Sequence, residues 1–196
     1  MSHKMDVAKA YADVFKQELA DNGLLKEALD NVLQSAQGPV FVTGSALYGN
    51  IVRRLYSRRL LVTDFDFVVS TYEDSDRVKP VNGWMKGLIG SDEIEYSGGV
   101  KRFTKAHAQM DVSKLTIYNP PHIDTLLSET PLNVQSLAFD AREGIIIGEV
   151  GQRAMREQVV TVHGIADAGY YADMKGMTVE ELVQKKAKQL GFTPRL

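Results

Sequence analysis

Asp64-Phe65-Asp66 is the segment of this 196-residue chain whose residue types and spacing most directly imply chemistry. Side chains alternate faces along a strand, so residues i and i+2 point the same way. Both carboxylates then leave one face, and Phe65 and Phe67 the other. Two like charges so close together are costly unless something neutralises them. Mg2+ (or Mn2+) does so with hard oxygen ligands, commonly one or two carboxylates plus substrate phosphates. Asp111, a lone charge in Ala108-Gln109-Met110-Asp111-Val112, supplies a third carboxylate. If its strand lies beside the first, the three can hold two metals, the arrangement that clamps the attacking and leaving oxygens of an in-line phosphoryl displacement. Taken alone, the Asp64/Asp66 pair reads equally well as turn-capping or solvent-facing aspartates.

The segment upstream bears on that choice. Thr43-Gly44-Ser45 follows the apolar run Val40-Phe41-Val42 and opens a helical pattern. Glycine at such a turn lets backbone approach a ligand closely. A helix N-terminus offers N–H groups and positive dipole to a phosphate, and Ser45 adds a hydroxyl. A plain N-cap serine after a tight glycine turn is the alternative. Arg53, Arg54, Arg58 and Arg59 crowd one helical region, where they could grip a triphosphate or an RNA acceptor, or simply face solvent. Arg102 and Lys114 lie closer to the carboxylates in sequence logic, although alternation turns one of Lys101 and Arg102 away. The four histidines have no metal-ligand spacing, and only His107 falls near Asp111. Trp84 and Tyr72 read as buried anchors more readily than as base-stacking platforms.

The elements that would position these residues follow from hydrophobic periodicity. Residues 5–35 read as two helices broken at Asp21-Asn22-Gly23, and Gly38-Pro39 ends the helical run. Strand Val40–Val42, a helix from Ala46 to about Arg59 and a strand over Leu60–Ser70 come next. Then follow a helix around Val81–Ile89, a hairpin of 93–96 and 100–104 about Ser97-Gly98-Gly99, and a strand over Ala108–Tyr118. Beyond Asn119-Pro120-Pro121, short helices are predicted near 123–128 and 133–139, a strand at Ile145–Ile147, and helical pieces to the end. Thr178 and Glu181 have the spacing of a capping box. This order predicts an α+β fold, a mixed sheet flanked by helices. It reads as one domain over 1–196, with N-terminal helices (1–37), a core (38–157) and a short C-terminal helical extension (158–196).

Composition bounds the function classes. Hydrophobic content of 44% and charge of 24% are ordinary for a globular protein. A net charge of −2 excludes a whole-protein field that would coat nucleic acid or an anionic membrane, but allows a local basic patch. The absence of cysteine excludes disulfides and thiolate chemistry. No apolar run approaches the ~20 residues of a membrane span, and residues 1–20 do not read as a signal peptide. A cytoplasmic protein is the expectation.

In order, an apolar strand, Gly44-Ser45, a helix, Asp64-x-Asp66 and a later lone Asp111 resemble the DNA polymerase beta-like nucleotidyltransferase superfamily. Ser97-Gly98-Gly99-Val100, Met110-Asp111-Val112-Ser113 and Pro131–Asp140 narrow the resemblance to the head domain of CCA-adding enzymes and bacterial poly(A) polymerases. That family has Arg-Arg-Asp-Phe-Thr-x-Asn-Ala and then Leu-Ala-Tyr-Asp; Asn133 matches the asparagine, and Leu137-Ala138-Phe139-Asp140 the ending. Ile145–Ile147 and Gly151 fall at its Ile-Asp…Gly-Gly continuation. The resemblance covers roughly residues 38–157.

The resemblance implies a nucleotidyltransferase-like fold and a metal-dependent transfer of NMP from an NTP, ATP or CTP foremost, to an acceptor hydroxyl such as that of an RNA. Asp64, Asp66 and Asp111 would be catalytic and metal-binding; Gly44, Ser45, Arg102, Lys114 and Asn133 would contact the nucleotide. Tyr48 and Gly49 stand where the family has an Arg-Asp pair, and Leu127-Ser128-Glu129 replaces the Arg-Arg-Asp lead-in. Only residues 158–196 follow the resemblance, so neck, body and tail helices, and with them tRNA CCA addition, are not expected. Two other readings remain: a nucleotide-binding or interaction module without turnover, and an adenylylating enzyme acting on a protein or small molecule.

Overall fold

A computed structural model describes residues 2–79, 83–86, 100–106, 112–118 and 122–196. Helices α1 (Ser2–Asp21) and α2 (Gly23–Ser35) lead into strand β1 (Val40–Thr43), helix α3 (Gly44–Leu55), strand β2 (Asp64–Val69) and helix α4 (Tyr72–Arg77). Strands β3 (Met85–Lys86), β4 (Val100–Ala106) and β5 (Val112–Tyr118) follow, then helix α5 (Ile123–Ser128) and a 3-10 turn (Asn133–Gln135). Strands β6 (Ala138–Asp140) and β7 (Ile145–Ile147), helix α6 (Glu149–Glu157), strand β8 (Val159–Val160), helices α7 (Ile165–Met174) and α8 (Val179–Leu190) and strand β9 (Thr193–Pro194) complete the order.

Among the described residues, seven strands form one mixed sheet in the order β3-β4-β5-β2-β1-β6-β7. Only β2 and β5 run parallel; the other neighbours are antiparallel. One face carries the main core. Val40 and Val42 of β1, Phe65, Phe67 and Val69 of β2, and Leu115 and Ile117 of β5 pack there against α1, α2 and α3. On the opposite face, toward one end, Phe41, Val68 and Ala138 meet Leu126 and Leu127 of α5. Strand alternation thus gives β2 an apolar row, Phe65-Phe67-Val69, and a second row that begins with two aspartates and ends at Val68.

Local signals account for the helix boundaries. The Asn22 side chain accepts the Leu25 N–H at 3.1 Å, restarting the helix after α1. Thr178 accepts from Glu181 N–H at 3.1 Å while Glu181 accepts from Thr178 N–H at 2.7 Å, the reciprocal capping box that the sequence predicts. The turn between α2 and β1 is clamped by buried Asp74, which accepts the Gln37 and Gly38 N–H groups at 2.8 and 3.0 Å and Arg77 at 3.0 Å. Burial would raise its pKa, but these donors together hold it below the ordinary carboxylate value.

Several elements differ from the sequence expectation. Helix α3 ends at Leu55 rather than near Arg59, and Ser57 adopts a positive φ of 52°. Strand β2 begins at Asp64, not Leu60: its ladder with β1 reaches only Asp66, and its ladder with β5 starts at the Asp64–Lys114 pair. Met85–Lys86 is a strand paired with β4 where a helix over 81–89 is predicted; 80–82 and 87–99 lie outside the described residues. The helix predicted near 133–139 is a 3-10 turn followed by β6, since Phe139 and Asp140 pair with Val42 and Phe41 at the open edge of β1. That edge demands strand geometry, and tertiary pairing overrides local preference. The C-terminal segment adds a short parallel pair, β8 with β9, and buries Leu182, Val183, Leu190 and Phe192 in the main core.

Candidate active site

The carboxylates sit where β1 hands over to α3. Asp64 is exposed and Asp66 half-buried, with Phe65 and Phe67 buried on the other side. Antiparallel pairing sets Asp66 opposite Thr43, so the Gly44 turn lies directly beyond it. Gly44 has φ +62°, a conformation that disfavours any Cβ. A Cβ built there would overlap Asp66 Oδ2 and stand 3.1 Å from its Cγ. Backbone and carboxylate are therefore in contact only because residue 44 has no side chain. Ser45 is half-buried, and its hydroxyl faces the Asp64 carbonyl oxygen at 3.4 Å. Thr43 gives α3 no side-chain cap, so the expected N-cap role falls to neither hydroxyl.

The sheet register extends this row. Asp64 pairs with Lys114 and Asp66 with Thr116 across the parallel β2–β5 ladder, and Arg102 pairs with Thr116 across β4–β5. Arg102, Thr116, Asp66 and Thr43 thus occupy one register row, with Lys114 beside Asp64 in the next. Lys105 marks the opposite row: its ammonium bonds Glu27 of α2 at 2.7 Å on the helical face. Thr116 is buried in this row, and no local sequence signal singles it out.

Other residues take different roles. Asn133, expected to contact nucleotide, is buried, and its amide is committed to backbone. Its Nδ2 donates to Val159 O at 3.0 Å, and its Oδ1 accepts from Val134 and Thr161 N–H at 2.9 and 3.0 Å. It fastens the 3-10 turn to β8 rather than offering hydrogen bonds to a ligand. Arg53 pairs with buried Glu18 of α1, and Arg54 reaches Glu18 at 3.7 Å and Asp21 at 2.6 Å. These two arginines hold α1 to α3 instead of facing a triphosphate. Trp84 is buried; its indole N–H donates to Glu27 at 2.9 Å, and Phe65 lies 6.3 Å from it, centroid to centroid. The Lys105 hydrogen bond, ahead of the opposing effect of burial, holds the Glu27 pKa below its ordinary value. Tyr72 is exposed beyond the end of β2 remote from Asp64. Asp111 and His107 lie outside the described residues.

The two positions where the resemblance has Arg and Asp are both committed to packing. Tyr48 is buried, and its hydroxyl accepts from Lys186 Nζ of α8 at 3.0 Å. The Tyr48 hydroxyl is also the main influence raising the Lys186 pKa, against the opposing effect of burial. Gly49 lets Val62 pack close, 3.1 Å from where a Cβ would stand, drawing the chain that enters Asp64 onto α3. Nothing near residue 48 in sequence points to Lys186.

Among the described residues no group of three histidine or acidic side chains gathers around a metal-sized space. The hard oxygen donors of Asp64 and Asp66, on one face beside a backbone turn, fit Mg2+ or Mn2+, which commonly takes one or two protein carboxylates. Among the described residues, no helix is long and apolar enough to cross a membrane.

The chain has the nucleotidyltransferase fold found in the head region of CCA-adding enzymes. The structure of the Bacillus stearothermophilus CCA-adding enzyme in complex with CTP matches 93% of this chain with a TM-score of 0.55 and 17% identity. A second CCA-adding enzyme in complex with CTP matches 89% of it with a TM-score of 0.56 and 15% identity. The match spans 41% and 43% of those two chains, so this chain corresponds to less than half of their length. No protein-family description matches the sequence, and no curated protein matches it. At such identity the likeness establishes the fold alone.

Proposed function

We propose that this protein is a metal-dependent nucleotidyltransferase that moves NMP from an NTP, ATP or CTP foremost, to an acceptor hydroxyl such as that of an RNA. The observation that carries this reading is the close approach of Asp66 to Gly44. It joins a carboxylate face to a turn at a helix N-terminus, the two surfaces a metal-bound triphosphate requires. Asp64 and Asp66 would hold Mg2+ or Mn2+, with Asp111 joining them and drawing the proton from the acceptor hydroxyl. Bound cations supply charge neutralisation at the phosphates and at the attacking and leaving oxygens. Gly44 and Ser45 would seat the distal phosphates, with Arg102 and Lys114 contributing positive charge from the adjoining strands. Positioning and electrostatics would supply most of the rate. A cytoplasmic workplace belongs to the same proposal.

The test is incubation with each NTP and Mg2+ in the presence of RNA, protein and small-molecule acceptor fractions, following pyrophosphate release and label transfer. Asp64→Asn and Asp66→Asn should each lower turnover at least ~100-fold, the scale of a mispositioned catalytic group, at unchanged melting temperature. Full turnover in either variant rules out the assigned roles. A second reading, nucleotide binding without transfer, is favoured by the commitment of Tyr48 and Gly49 to packing. Calorimetry that detects Mg-NTP binding, with no pyrophosphate release for any acceptor, would select it. Label appearing in the protein or small-molecule fraction would instead select an adenylylating enzyme of that kind.

A further inference from the structure

The cations of this protein are sorted into paired and unpaired groups. Arg53, Arg54 and Arg77 each meet a carboxylate. Arg58, Arg59, Lys185 and Lys188 are all exposed, and none of them has an ion pair among the described residues. They lie together. Lys185 and Lys188 are three residues apart on α8 and share a face. Gly191 follows at the same spacing, and its carbonyl accepts from Arg58 Nη2 at 3.3 Å, with Arg59 adjoining. Lys186, between the two lysines, is held elsewhere by Tyr48.

The two acids of α8 take hydrogen-bond partners other than these lysines. Glu181, one turn before Lys185, accepts Thr178 N–H in the capping box, and Glu180 accepts from Gln184. The acids of α8 sit in its first turn and its bases toward its end. The overall charge is −2, so this positive field is local. The chain runs from Arg59 directly into the catalytic strand. The five residues to Asp64 span at most ~18 Å fully extended, so a strand bound at the Arg59 end of the stripe lies within ~18 Å of the site.

We propose that Arg58, Arg59, Lys185 and Lys188 form a docking surface for the phosphodiester backbone of a nucleic-acid strand. A bilayer surface is disfavoured by the apolar face of α8: Leu182, Val183, Ala187 and Leu190 are buried in the core and cannot insert into lipid. Contacts of this type give affinity without reading sequence and release counterions on binding. That the docked strand is the acceptor rests on the nucleotidyl-transfer reading; the docking does not.

The experiment is fluorescence anisotropy of the full chain with a labelled single-stranded oligoribonucleotide, titrated at several salt concentrations. Four phosphate contacts give a log–log salt slope of about −3, so affinity falls about fifty-fold between 50 and 200 mM salt. Lys185→Gln with Lys188→Gln should halve the slope to about −1.4, and Arg59→Gln alone should lower its magnitude by about 0.7. All are solvent-facing substitutions, and circular dichroism checks their fold. Asp66→Asn should bind the oligonucleotide as the parent does. Loss of turnover in that variant with RNA binding kept separates the two proposals, and absent turnover in the parent would sink only the transfer reading. An unchanged slope in the lysine pair, no RNA binding at 50 mM salt, or capture by anionic phosphatidylserine vesicles without capture of RNA would overturn the docking surface.

Discussion

Replacing Gly44 with alanine tests the contact on which the site is built, and Gly176 provides its control. Both glycines have φ +62°, so alanine at either position incurs the left-handed penalty of roughly 1–2 kcal/mol. A Cβ at Gly176 meets nothing within 4 Å, whereas one at Gly44 overlaps Asp66 Oδ2 and lies 3.1 Å from Cγ and 3.3 Å from Cβ of Asp66. The carboxylate end can swing away, but the Asp66 Cβ is fixed by β2, so some strain persists. Gly176→Ala should therefore lose ~1–2 kcal/mol and keep its function. Gly44→Ala should lose about 1 kcal/mol more from the tight contact. Its Asp66 carboxylate, displaced by about 1 Å, should lower turnover roughly 100-fold. Urea unfolding followed by Trp84, the sole tryptophan and buried beside Phe65, measures stability. Pyrophosphate release and Mg-NTP calorimetry measure the site. Equal stability of the two variants, or Gly44→Ala turnover within threefold of Gly176→Ala, would refute the reasoning.

Two further substitutions probe the scaffold around the site. Asn133→Ala removes three hydrogen bonds between its side-chain amide and the backbone and should cost about 2–3 kcal/mol in urea unfolding with unchanged NTP affinity; a tenfold loss of affinity at parental stability would restore Asn133 to the nucleotide contacts. Asp74→Ala leaves the Gln37 and Gly38 N–H groups without their acceptor, at a cost of about 2–3 kcal/mol near neutral pH. The folded-state pKa of Asp74 is lowered from 3.8, so its contribution is complete above that ordinary value and is lost as pH falls through the folded one. Acid titration of stability should thus be shallower below about pH 4 in Asp74→Asn than in the parent, and parallel acid limbs would contradict the assignment.

Replacing the expected Arg-Asp pair with Tyr48-Gly49 changes what holds α3. In place of a charged pair in that helix, a lysine from the C-terminal helix closes on a tyrosine, and a missing side chain admits Val62. Tyr56 adds a second tie, its hydroxyl donating to Met155 O at 2.9 Å and its ring packing edge-on against Phe192. Helix α3 is thus braced by residues far away in the chain. The loop entering Asp64 is carried on the same brace.

The local geometry of the candidate site was legible in the sequence because it depends on short-range structure. Alternation along β2 alone separates Asp64 and Asp66 from Phe65 and Phe67, and the Thr43-Gly44-Ser45 turn follows from an apolar run ending at a glycine. Caps at Asn22 and Thr178 are equally local. What depends on partners distant in sequence was not legible. Residues 138–140 become a strand only because β1 leaves an open edge. Arg102 falls in the row of Asp66 only through the β4–β5 and β5–β2 registers. Arg53 and Arg54 look like phosphate ligands until Glu18 and Asp21 are brought beside them, and Asn133 looks like a ligand contact until β8 arrives to take its amide. A sequence fixes which groups a residue carries and which way it faces within its own element. Which of those groups stay free for chemistry is decided by the tertiary neighbours that compete for them, because a buried polar group must be satisfied by whatever the fold places within reach.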